Sequence, residues 1–207
     1  MHNLAERAKK LIERCQSTEE FSIEVEGTSY NLVPFSYSDV SNITNIKLLS
    51  DWRRCSEHAF LKVFEVTESG TETWLRKGVL DNPYRLMFWV VNGDGQKVGH
   101  IGVSSFNFEE NSCEIDNVVK SNNCSTKGLF YCVTNTLINW IQDEIQPTRL
   151  KLRVFSDNIP AISLYSRCGF KPVDIIKFKK ITASDYVEWI ESDDNIDRCF
   201  LVMELMK

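Results

Sequence analysis

No apolar run in this 207-residue chain approaches the roughly 20 residues needed to cross a bilayer, so no membrane span is expected. The opening Met-His-Asn-Leu-Ala-Glu-Arg-Ala-Lys-Lys has no apolar core of the kind an export signal carries, and the expected compartment is the cytoplasm. Positive charge is not in excess. The formal net charge of −5 argues against nucleic acid as the main partner, because phosphate backbones ask for a basic face. It leaves room only for a local basic pocket. The seven cysteines, Cys15, Cys55, Cys113, Cys124, Cys132, Cys168 and Cys199, are odd in number and include no Cys-x-x-Cys. Their spacings fit neither a zinc site nor a disulfide framework, so they read as reduced thiols in or near the core, and no metal is expected. Repeats, low-complexity stretches and Pro/Gly-rich linkers are also missing. The chain therefore reads as one domain over 29–207 behind an N-terminal extension over 1–28.

What is present is ordinary globular composition, 43% hydrophobic and 26% charged, enough for a proper core. Leu4, Ala8, Leu11, Ile12 and Cys15 recur at helical spacing and predict an amphipathic helix over 3–16 that packs on the body. Phe21 to Val25 and Tyr30 to Phe35 alternate as strands, with Glu26-Gly27-Thr28 as a hairpin turn. Residues 39–63 and 71–80 read as helical. Arg85 to Val91 and Lys97 to Val103 read as strands around the turn Asn92-Gly93-Asp94-Gly95, followed by a strand from Cys113 to Val119. A helix at about 126–145 has the apolar face Leu129, Val133, Leu137, Ile138 and Ile141. Arg149 to Phe155 alternates as a strand. Asp157-Asn158 then caps a short helix with Pro160 in its first turn and Gly169 at its exit. Val173 to Phe178 and Cys199 to Leu205 close the chain as strands, with the acidic segment 182–198 between them. The unit from 113 to 155 should be a right-handed parallel crossover, and the hairpins around it make the sheet mixed.

Within Arg153 to Phe170, the residues Asn158, Ala161, Leu164, Tyr165, Gly169 and Phe170 fall in the pattern N-x-x-A-x-x-L-Y-x-x-x-G-F. This resembles the GCN5-related N-acetyltransferase (GNAT) family over about residues 30–178. The resemblance implies a GNAT-like α/β fold: a central mixed, mostly antiparallel β-sheet flanked by helices, with one parallel β-α-β crossover. It also implies acetyl-CoA as co-substrate and direct acyl transfer to an amine. The family's phosphate loop is matched clearly only at Gly128; Ser125 stands where the leading Arg or Gln would be, and Phe130 where the last small residue would be. Lys120 and Lys127 can supply charge there. By resemblance the thioester carbonyl is held by the strand backbone near Asn117, Val118 and Val119, and Asn158, Ala161 and Tyr165 belong to the cofactor side.

Acyl transfer from a thioester needs two proton movements. The expelled thiolate takes a proton, and a phenol can give it; Tyr165 is the candidate acid. The amine must be neutral to attack, so a carboxylate or histidine must take its proton. Glu114 and Asp116 are two apart on one strand and share a face, where their mutual repulsion favours a proton on one of the pair; Glu114 is the leading base, with Asp116 beside it. His100, between Gly99 and Ile101 on the neighbouring strand, ranks below them. Trp52 and Arg53 fall in the region that shapes the acceptor site in similar proteins, and Arg53 or Arg54 can hold an anionic group. The expected acceptor is a small-molecule amine, with a nucleotide-linked amino sugar as the leading form. That form rests partly on resemblance, since Glu114 to Val119 with Leu152 to Asn158 is similar to acyltransferases of surface-polysaccharide synthesis, and partly on Arg53, Arg54, Lys177, Lys179 and Lys180 gathering at one mouth of the sheet, with Glu114 and Asp116 to guide the amine and Trp52, Tyr186 and Trp189 for stacking. A protein N-terminus as acceptor and a non-catalytic acyl-CoA-binding module are the rival readings, and a homodimer is left open.

Overall fold

The computed structural model describes residues 4–17 and 21–206. Helix α1 (Leu4–Ser17) buries Leu4, Ala8, Leu11, Ile12 and Cys15 along one stripe, as the 3.6-residue period dictates. The stripe joins the main core, and Arg7 and Arg14 reach Gln146 and Glu144 at 3.1 and 2.9 Å. Strands β1 (Ile23–Glu24) and β2 (Tyr30–Pro34) form an antiparallel hairpin, so the sheet runs across the boundary placed at 28/29.

The region 39–63, expected to be helical throughout, divides into α2 (Tyr37–Val40), α3 (Ile43–Cys55), a 3-10 turn (Glu57–Ala59) and a short strand β3 (Lys62–Phe64). The side chain of Asn42 caps α3 by accepting from the amides of Thr44 and Asn45. Helix α4 (Glu68–Thr73), capped by Thr67, continues into a π-helical stretch at Trp74–Leu80. Strands β4 (Leu86–Asn92), β5 (Lys97–Asn107) and β6 (Ser112–Lys120) meander antiparallel. Helix α5 (Leu129–Glu144) crosses over to β7 (Arg149–Phe155), which runs parallel to β6. Then come α6 (Ile159–Arg167), β8 (Phe170–Thr182), β9 (Tyr186–Glu191) and β10 (Arg198–Leu205).

Two strands lie where the sequence pattern announces none. The acidic segment 182–198 contains β9, and β9 pairs with β3 through Lys62–Glu188, Val63–Val187 and Phe64–Tyr186. Three residues carry too little pattern to announce β3; its pairing partner lies more than 120 residues away and decides it. The sheet order is β1-β2-β4-β5-β6-β7-β10-β8-β9-β3. Among these pairings β6–β7 is the parallel one. Helices α1 and α5 cover one core, which includes Leu11, Phe88, Leu137 and Ile141. On a second core, Phe35, Leu49, Trp52, Leu75, Val79 and Trp89 lie under α3 and the π-helical stretch. A third cluster joins Phe155, Phe178 and Phe200.

Two breaks in the ladder create space. Strands β6 and β7 pair only over Ser112–Glu114 with Arg149–Lys151, and beyond that they part. On the other side of β6, His100 faces Val119 while Gly102 faces Asp116, so Asn117 and Val118 share one partner position. Asn117 sits at φ +50°, in the left-handed region that a bulged asparagine tolerates.

Candidate active site

The parted strands leave a cleft of about 630 Å³. Its walls come from β6 (Glu114 to Lys120), the end of β7 (Arg153 to Phe155) and the start of α6 (Asn158, Pro160, Ala161, Leu164, Tyr165). Phe130 and residues 58–61 close its ends. On the opposite side of the bulge lies a second cavity of about 290 Å³, walled by Arg53, Phe60, Phe64, Thr67, Trp74, Arg85 and His100 among others. Phe60, Asp116, Asn117 and Val119 line both.

The local sequence positions each group. Asn158 begins α6 by accepting from the amide of Ala161 at 3.3 Å, and Pro160 suits the first turn. That cap fixes the helix so that Tyr165, seven residues on, is buried against Phe170 with ring centroids 6.3 Å apart. Burial, then the negative charge of Asp116, then Cys168, raise the Tyr165 phenol above its ordinary range, so it keeps its proton at neutral pH. At the start of α5, Gly128 takes φ +74° and no side chain caps the helix; the positive helix end suits an anion. Phe130 has room because Gly99 has no side chain: a Cβ there would lie 2.5 Å from the Phe130 ring and 2.4 Å from the Val119 carbonyl. The bulk of Phe130 is thus matched by a glycine on β5. The bulge, the helix end and a cleft of this size fit an acyl-CoA.

Asp116 accepts from Arg85 at 2.8 Å and from the Ser104 hydroxyl at 2.9 Å. Glu114 is engaged differently: it accepts from Arg153 Nε at 2.8 Å and lines the cleft but not the second cavity. His100 is buried, and burial lowers its pKa to about 4, with only partial offset from its backbone hydrogen bond and from Asp116. Its Nδ1 lies 2.7 Å from the Asn117 carbonyl. A carbonyl only accepts, so in the neutral ring Nδ1 carries the proton and Nε2 keeps the lone pair.

The structure therefore gathers Glu114, Asp116, Asn117, Val118, Val119, Lys120, Asn158, Ala161 and Tyr165 at the cleft, and Arg53, His100, Asp116, Asn117 and Val119 at the second cavity. Lys127 and Gly128 stand at the start of α5 outside both linings. Trp52 corrects an expectation: it is buried in the core behind His100, with ring centroids 5.8 Å apart, and does not line the cavity. Arg85, Phe60 and Trp74 had not been singled out in the sequence. Only Arg85 carried a signal, a guanidinium at the head of an otherwise apolar strand. Among the described residues no group of three or more His, Cys, Asp or Glu is placed to hold a metal ion.

A mixed sheet splayed beside a bulged strand, with an Asn-capped helix delivering a buried tyrosine, is an acetyltransferase frame. The chain matches the family described as Acetyltransferase (GNAT) domain over residues 30–171, and it belongs to that family. Solved structures with this fold include a probable GNAT-family acetyltransferase from Chromobacterium violaceum, 16% identical, TM-score 0.67, covering 92% of this chain and 88% of that one. A spermidine N-acetyltransferase chimera from Vibrio cholerae is 13% identical, TM-score 0.63, covering 86% and 96%. A dodecameric spermidine N-acetyltransferase from the same organism is 13% identical, TM-score 0.62, covering 86% and 94%. No curated protein sequence matches the chain.

Proposed function

We propose that the chain moves the acetyl group of acetyl-CoA onto the amine of a small molecule, by direct attack within a ternary complex. The observation that carries this reading is the shared wall: Phe60, Asp116, Asn117 and Val119 border both the cleft and the second cavity. An acyl chain entering along the cleft and an amine in the cavity meet at the bulge. Backbone freed from the ladder there is suited to hold the thioester oxygen.

The amine nitrogen forms its bond to the acetyl carbon as the carbon–sulfur bond breaks. Asp116, directly or through a water, receives the amine's proton, and its place on both walls favours it over Glu114. His100 Nε2 accepts a hydrogen bond from the amine and orients its lone pair. Tyr165 returns a proton to the departing thiolate.

A small-amine acceptor is in keeping with the acetyltransferases of similar fold named for spermidine. The finer expectation of a nucleotide-linked amino sugar loses its support. Arg54 pairs with Asp51, Lys177 lies 3.5 Å from Asp193, and Trp189 packs with Phe155. None of Arg54, Lys177, Lys179, Lys180, Tyr186 or Trp189 lines the cavity, so of the cations expected to gather for a diphosphate only Arg53 is there. The test is calorimetric titration with acetyl-CoA, followed by mass-spectrometric screening of an amine panel and a peptide library. Binding and small-amine acetylation are expected. Absence of binding at millimolar acetyl-CoA sinks the enzyme reading, and acetylation of peptides alone promotes a protein N-terminus as acceptor.

A further inference from the structure

The charged groups around the acceptor cavity do not balance. Arg85 has the Asp116 carboxylate at 2.8 Å. Arg53 has no carboxylate within ion-pair distance among the described residues. Its Nη2 donates to the Lys62 carbonyl at 2.6 Å, and its guanidinium stacks 3.6 Å from the Phe60 ring centroid. Nη1 is buried with no partner among the described residues. Burial lowers the pKa of Arg53 to about 10, with Glu57 offsetting this from beyond hydrogen-bond reach, so the group stays cationic at neutral pH. Holding a cation partly out of water with no carboxylate in direct contact is costly, and an anion arriving with the substrate lowers that cost.

We propose that the acceptor is an amine that also bears a carboxylate, an amino-carboxylic acid whose carboxylate sits against Arg53 and whose amine sits toward Asp116 and His100. This rests on the acyltransferase reading above. The cavity's 290 Å³ equals the share of about ten waters at roughly 30 Å³ each, room for a molecule of amino-acid size. Leu49, Phe64 and Val119 provide apolar wall for its carbon skeleton. One unmatched guanidinium suits a monoanion. A phosphate dianion asks for a second cation, and Arg85 is already engaged by Asp116. A linear polyamine would bring further positive charge against Arg53 and Arg85, with Asp116 alone to receive it.

The experiment uses the wild-type chain, acetyl-CoA and matched pairs of amino-carboxylic acids and their carboxamides, with spermidine alongside. The acids are expected to show kcat/KM about 10- to 100-fold above their carboxamides, the size of one charge-assisted contact. Arg53→Gln should bring that ratio to near one, chiefly through KM for the acids. Equal use of acid and carboxamide by the wild type, or preference for spermidine, overturns the proposal. Because Arg53 also ties down Lys62, thermal shifts of the wild-type CoA complex with the same pairs give a reading that no variant's folding affects. Protection by acids over carboxamides supports the proposal, and equal protection overturns it. Calorimetry without acetyl-CoA binding would instead remove the acyltransferase reading on which it rests.

Discussion

His100 is neutral because the protein surrounds it with Trp52, Phe35 and the backbone of the bulge. Between about pH 4 and 6.5 the folded chain then binds fewer protons at this site than the unfolded chain. Stability contributed above pH 6.5 is therefore lost as the pH falls through this window, by up to about 1.4 kcal/mol per pH unit. His100→Gln keeps a donor for the Asn117 carbonyl and should flatten this slope; urea unfolding across the window, wild type against variant, reads it directly. In the proposed reaction Tyr165 has the opposite task, to hold its proton until a thiolate appears. Tyr165→Phe is expected to lower kcat roughly 10²- to 10⁴-fold with little change in melting temperature, because the ring and its packing remain. Steady-state kinetics with a rate-limiting chemical step check this, and unchanged turnover would return Tyr165 to a packing role. Asp116→Asn should lower kcat/KM by roughly 10² or more, with residual activity rising toward high pH as the amine deprotonates unaided. Glu114→Gln should cost little, since its partly exposed pair with Arg153 is worth under about 1 kcal/mol. The reverse ranking in kcat/KM would restore Glu114 as the base.

At the scale of elements, the bulge in β6 is held from both sides. Gly99 on β5 lets Phe130 from α5 and the Val119 carbonyl approach closely. Gly99→Ala places a methyl group where there is no room, and overpacking of this kind costs about 1–3 kcal/mol. The expected result is a lower urea midpoint together with weaker acetyl-CoA affinity by calorimetry, because the same shift moves the cleft wall. The acceptor cavity depends on a different pairing. Phe60 precedes β3 and Phe64 is its last residue, and β3 is held by β9 from the acidic C-terminal segment. That segment does not line the cavity itself; it anchors the strand that does.

Across the whole molecule, α1 is part of the core rather than an appendage. Leu4, Leu11, Ile12 and Cys15 are almost fully buried with α5 and the sheet. Each buried aliphatic chain contributes about 1.5–3 kcal/mol, so removal of residues 1–17 is expected to lower the melting temperature sharply and to expose an apolar face. Differential scanning calorimetry and light scattering on the truncated chain measure both. The cysteines follow the same core: Cys15 and Cys113 are buried, and burial pushes both thiols up to about 12, which keeps them inert.

Local pattern was sufficient to specify much of this. The period of α1 and α5, the alternation of β7, the Asn158 cap and the Tyr165 position are all set by neighbours within a few residues, where spacing and capping chemistry act directly. The six residues from Asn158 to Phe170 that carry the family pattern lie on one continuous stretch, which is why the helix bearing Tyr165 is legible before the fold. The acceptor cavity could not. Arg53, Phe60, Arg85 and Asp116 come from four separate segments, and no periodicity links them. Whether Arg53 is matched by a carboxylate, whether Trp52 faces a substrate or the core, and whether residues 62–64 are helix or strand depend on partners far along the chain. Packing and long-range pairing decide those questions, because a side chain's neighbours across a sheet are fixed only when the register is.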